Sequence, residues 1–143
     1  MKKLVLGLIV ILSAMLLTNC TSQPKSTENL KREWMLVEFQ DFNKQLLVNN
    51  RANINLTSQN KKGEFTAHMS CNNIFGKVQY QSNGTIKFSD IGSTMMFCAE
   101  NMDLENKFNK SLATITGFEV VGHFLTLRSA DGSVMKFVAS DWD

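Results

Sequence analysis

The chain has 143 residues, of which 43% are apolar and 20% charged, and its formal charge is +2. The two lysines at its start account for that charge, leaving thirteen basic residues against thirteen acidic ones, scattered and mostly Lys. A phosphate backbone selects clustered Lys and Arg with aromatics between them, so nucleic acid is not an expected partner, and the length suits one core rather than two.

Lys2 and Lys3 form a positive n-region, Leu4 to Leu17 form an uncharged apolar run, and Leu17-Thr18-Asn19-Cys20 has the form of a bacterial lipobox. In such a site the Cys20 thiol takes a diacylglyceryl group and becomes the mature N-terminus, so the anchor is lipid rather than helix. The apolar run is shorter than the roughly twenty residues of a spanning helix. A cleaved secretory signal and an uncleaved anchor are the alternatives, and Asn19 stands where Gly or Ala is usual. Residues 1–19 are therefore assigned to a lipoprotein signal peptide. Residues 20–32 follow as a flexible polar tether holding Pro24, the only proline. Residues 33–143 form the folded domain, which opens near Trp34. Thr21 is not the aspartate associated with inner-membrane retention. The expected place is the outer membrane facing the periplasm, with an envelope protein or the cell wall as partner.

Most of the domain reads in period two. Ile54 and Leu56, then Phe65, Ala67, Met69 and Cys71, then Ile86 and Phe88 alternate with polar neighbours, which predicts half-buried strands. Asn83-Gly84 and Asp131-Gly132 predict type I′ turns, and Gly122-His123 joins Phe118–Val121 to Leu125–Leu127, so antiparallel hairpins dominate. Only one segment changes period. Leu104, Phe108, Leu112 and Ile115 share a helical face, with Asp103 and Lys107 spaced as an i,i+4 pair and Gly117 as a stop signal.

With Cys20 lipidated, Cys71 and Cys98 remain as an even pair in an oxidising compartment, which predicts a structural disulfide. His68, Cys71, Cys98 and His123 have the residue types of a zinc site. Strand phase nevertheless puts His68 and Cys71 on opposite faces, and no metal or other cofactor is expected. There is no C-x-x-C, no G-x-S-x-G elbow and no phosphate-cradling glycine loop, hence no catalytic residue to nominate. Met95 and Met96, in the run Thr94-Met95-Met96-Phe97-Cys98, are expected to fill core gaps around the disulfide, with soft-metal binding or an apolar groove as alternatives.

Trp34-Met35-Leu36, then Ser70-Cys71-Asn72-Asn73 with Gly76 and Tyr80, then Thr94-Met95-Met96-Phe97-Cys98 ahead of a helix resemble the META domain, the HslJ-like family of bacterial envelope lipoproteins. Ser70 departs from a pattern similar to G-C-N. The resemblance implies a single α+β domain with a curved, partly barrel-like antiparallel sheet of about seven strands and one packed helix. It implies stress-associated or drug-tolerance-associated envelope roles without an established reaction. Trp34, Asn72, Gly76, Thr94 and Met95 carry over as structural signature positions. Asn72 is expected to cap a turn through its own backbone. The functional expectation is a noncatalytic lipid-anchored envelope protein, the alternative being a module that binds small hydrophobic ligands near Met95 and Met96.

Overall fold

A computed structural model describes residues 27–57, 63–98 and 102–142. The expected signal peptide, Cys20 and the expected tether up to residue 26 lie outside the described residues. Eight strands form one antiparallel sheet: β1 (Glu33–Phe39), β2 (Asn53–Asn55), β3 (Glu64–His68), β4 (Asn73–Tyr80), β5 (Ile86–Ser93), β6 (Ile115–Val121), β7 (Phe124–Ser129) and β8 (Val134–Ala139). Their order across the sheet is β5-β4-β3-β2-β1-β8-β7-β6. The sheet curls until its two edge strands approach one another, where Phe118 N–H donates to the Gly84 carbonyl at 2.8 Å and Thr85 bridges Gly117. The expected α+β architecture is present, with eight strands in place of about seven.

Two α-helices lie among the described residues, α1 (Lys44–Asn49) and α2 (Met102–Leu112). The periodic stripe found α2, whose Leu104, Phe108 and Leu112 are fully buried, with Phe108 edge-on to Phe39. Lys107 reaches Asp103 at 3.1 Å as the spacing requires. Helix α1 gave no such signal, because six residues are too few to display a 3.6-residue period. It is started by Asn43, whose Oδ1 accepts from Gln45 N–H at 2.7 Å, and it buries Leu47.

Three local expectations change. Gly117 does not stop α2, which ends at Leu112, where the Thr114 N–H and hydroxyl both bond the Ser111 carbonyl. Gly117 instead lies in β6 beside a register shift. The turns at Asn83-Gly84 and Asp131-Gly132 are not type I′, since only the glycines take positive φ, at 89° and 88°. Both are three-residue loops with a type I turn followed by a left-handed glycine. Asn83 and Asp131 accept from the N–H two residues on, both at 2.9 Å. Finally, residues 28–32 are folded rather than tether: Leu30 is buried and its carbonyl accepts from the Trp34 indole N–H at 2.9 Å.

Bulges create the curvature. In β1 the pairing shifts between Leu36 and Glu38, so that Phe39 rather than Glu38 turns inward. In β4 and β5 it shifts between Phe75 and Lys77, opposite Asp90 at φ 51°. Gly76 sits in that bulge, where a Cβ would stand 2.7 Å from the Phe65 ring and 2.8 Å from the Ser89 carbonyl oxygen. Antiparallel pairing gives the curl two ends. The base holds Thr27–Glu33, the Tyr80–Ile86 and Val121–Phe124 turns and Ala139–Trp142. The rim holds α1, the His68–Asn73 turn, residues 94–98, α2, and the Ser129–Val134 turn.

Gly76→Ala should lower stability by about 1–3 kcal/mol in urea denaturation, because the obstacle is partly backbone. Gly117→Ala, where the nearest such atom is at 3.7 Å, should change little, and equal losses would count against the bulge as the cause. The Asp131 carboxyl is held down to about 2 from its ordinary 3.8, first by the Ser129 hydroxyl and then by the Ser133 N–H. A depressed carboxyl stabilises the fold above its unfolded value and loses that contribution as pH falls through the folded one. Asp131→Asn should therefore flatten the dependence of the urea midpoint on pH between about 4 and 2.

Candidate functional site

Of the signature residues, Asn72, Thr94 and Met95 meet at the rim. Asn72, in the tight connection between β3 and β4, is buried, and its side chain reaches across to the segment that follows β5. Its Oδ1 accepts from the Thr94 hydroxyl and from Met96 N–H, both at 2.8 Å, and its Nδ2 donates to the Met96 carbonyl at 3.1 Å. This corrects the expectation of a self-capped turn, since these three bonds cross between segments. The Asn73 N–H donates to Thr94 Oγ1 at 3.1 Å, and Thr94 N–H donates to the Asn73 carbonyl at 3.0 Å. Cys71 and Cys98 are joined beside this clamp, with Cα atoms 6.3 Å apart.

A third segment enters through Glu105 on α2. Its carboxylate is buried and accepts from Asn72 N–H at 3.0 Å. Glu105 has no part in the helical stripe or in the Asp103/Lys107 pair by which the sequence marks this helix. The available signal was its spacing: Glu105 lies three before Phe108 and seven before Leu112, so it is an acid on the apolar stripe.

The clamp takes the backbone of Met96 inward and leaves the side chains outside. Met95 is 98% and Phe97 91% exposed, with Met96 also exposed. The expectation that these methionines fill the core is overturned: hydrogen bonding to the Asn72 amide fixes the segment as a surface loop. Trp34 is buried on the inner face of the sheet, and Gly76 belongs to the β4/β5 bulge. At Ser70 the backbone does not take positive φ, so the serine is accommodated without strain.

The other candidate residues do not assemble. His68 ends β3 at the rim, whereas His123 lies in the base turn between β6 and β7 and stacks on Trp142. The four residues of zinc-ligand type are thus split between opposite ends. Among the described residues no group of three or more His, Cys, Asp or Glu could hold a metal ion. A cavity of about 640 Å³ lies at the base between Leu56, Val78, Tyr80 and Lys31, away from Met95 and Met96.

The META domain family matches residues 28–142, a span that holds the whole clamp. The chain belongs to the META domain family. None of the curated proteins matches it. Among solved structures it resembles an NMR structure of a protein from Burkholderia xenovorans with a TM-score of 0.62 and 16% identity, covering 85% of this chain and 93% of the other. A crystal structure of a DUF4847 family protein from Bacteroides vulgatus gives a TM-score of 0.57 at 15% identity, covering 82% of this chain and 100% of the other. Both likenesses concern the fold. In this META domain the family residues at the rim, Asn72, Thr94 and the two cysteines, act on one another.

Asn72→Ala strands the Thr94 hydroxyl and both backbone groups of Met96, and should cost about 2–4 kcal/mol. The Met96 amide should exchange with solvent much faster, as NMR would record. Reducing the disulfide, which closes a separation of 27 residues, should lower stability by about 3.5 kcal/mol in the chain-entropy account.

Proposed function

We propose that this META domain protein is a noncatalytic, lipid-anchored module of the bacterial envelope, held at the outer membrane through Cys20 and facing the periplasm. It supports stress or drug tolerance by presenting its Met95-Met96-Phe97 loop to an envelope protein. The observation that carries this is the inversion at the rim. Asn72, Thr94 and Glu105 are spent on internal bonds, while the two most exposed of the described large apolar side chains, Met95 and Phe97, sit on a clamped loop. A large apolar residue on a preorganised loop loses little conformational freedom on docking, which suits it to anchor an interface.

Two variants test the two halves. Cys20→Ser should move the protein out of the membrane fraction, and unchanged fractionation would refute the lipid anchor. Met95→Ser with Phe97→Ser should keep the thermal midpoint within about 1–2 °C of the parent, because exposed side chains contribute little to stability. It should fail to restore envelope-stress survival to a deletion strain, and full complementation would sink the loop as the contact surface.

A second function rests on the base cavity, whose Leu56, Val78 and Tyr80 lining fits a small apolar molecule, with Lys31 at the margin. A hydrophobic ligand there would raise the melting temperature with concentration, and Val78→Trp would abolish the rise.

A further inference from the structure

The outer face of the sheet changes character abruptly near the base. Val121 pairs with Phe124, Phe124 with Val138, and Val138 with Met35. Directly paired residues point to one face, so these four make an apolar row across β6, β7, β8 and β1. The opposite face of the same strands carries the buried Leu125, Phe137 and Leu36. Val121 and Phe124 are strongly exposed. Trp142 extends the row, standing edge-on to Phe124 at 5.3 Å and stacked on His123 at 5.2 Å. The next outward row toward the rim is Glu119, Thr126, Lys136 and Glu38. Its charges are compensated locally, Arg128 with Glu119 at 2.8 Å and Lys136 with Glu38 at 2.9 Å. One outer face therefore passes from apolar and aromatic to ion-paired within two residues, or about 7 Å.

We propose that this base row docks on the headgroup–acyl boundary of the membrane that holds the Cys20 lipid. It thereby fixes the domain with its Met95-Met96-Phe97 loop pointing away from the bilayer. The inference rests on the lipid anchor proposed above. The occupant follows from where the chain enters: Thr27 lies seven positions after Cys20, so the lipid is at most about 25 Å away along the chain. The entering segment is at the base, bonded to the same corner that carries Trp142, with Ser140 N–H donating to the Glu33 carbonyl and Arg32 paired to Asp141 at 3.8 Å. Trp favours the interface because its flat apolar ring carries a polar N–H edge that matches the gradient, and Phe adds apolar area beside it. A shallow apolar row bounded by ion pairs suits a surface contact rather than insertion. The tether raises the effective concentration of the row at the leaflet, so a modest contact suffices.

The two tryptophans supply the readout, since Trp34 is buried and Trp142 is 47% exposed. The mature acylated protein is reconstituted into vesicles of phosphatidylethanolamine and phosphatidylglycerol whose acyl chains carry bromine near the headgroup. Trp142 emission should fall by about half relative to unlabelled vesicles, as for an aromatic at the interface. The fall should vanish in Trp142→Phe and shrink in Phe124→Asp. Protein that floats with the vesicles while Trp142 stays unquenched and open to iodide overturns the docking face and leaves the anchor standing. Shielding from iodide without bromine quenching places a second copy or another protein on the row, and also overturns it. Protein that lacks acyl mass on Cys20 and does not float overturns the anchor, and the orientation with it.

Discussion

The buried side-chain amide of Asn72 is the interaction on which the rim depends. One group holds both the hydroxyl of Thr94 and the backbone of Met96, while its own backbone N–H is taken by Glu105. Three segments distant in sequence, the β3–β4 turn, the loop after β5 and helix α2, thus meet at one residue. The Cys71–Cys98 bond spans two of the same segments. Covalent and hydrogen-bonded constraints are therefore redundant here: the bridge limits the unfolded ensemble, whereas the amide selects the folded conformation of the loop. The buried Glu105 carboxylate and the Asn72 backbone N–H satisfy one another, so together they cost little and either is costly to strip of its partner.

Curvature is the second constraint. A flat eight-stranded sheet would leave two distant edges and no enclosed core. The bulges at Leu36/Glu38 and Phe75/Lys77 bend it until Gly84 and Gly117 come together. Phe65, Phe88, Phe118 and Phe137 then pack inside with α2 across the rim, where Ile91–Ser93 and Asn109, Lys110 and Ala113 line a shared groove. The bulge in β1 also exchanges Glu38 for Phe39 at the core, so one extra residue decides whether an acid or a ring is buried.

The curl gives the domain two chemically distinct ends. At the rim, exposed apolar side chains ride on a loop fastened by polar groups. At the base, exposed aromatic side chains lie in a row beside the entering chain. On the proposal of a lipid anchor at the base end, the rim loop is directed away from the bilayer, so the proposed membrane and partner surfaces lie at opposite ends of the domain.

By itself the sequence determined the elements whose signal is periodic or local. These are the alternating strands, the α2 stripe, the three turn sites, the pairing of two cysteines and the family to which the chain belongs. Alternation and stripe report which side of an element faces apolar surroundings, and that is encoded within a few neighbouring residues. The tertiary structure alone decided where Asn72 spends its amide, that Glu105 is buried against it, and that Met95 and Phe97 face solvent. It also decided that Met35, Phe124, Val121 and Val138 fall in one row. Each of these depends on the register between segments separated by tens of residues. Bulges shift that register by single positions, which the composition of either strand does not reveal.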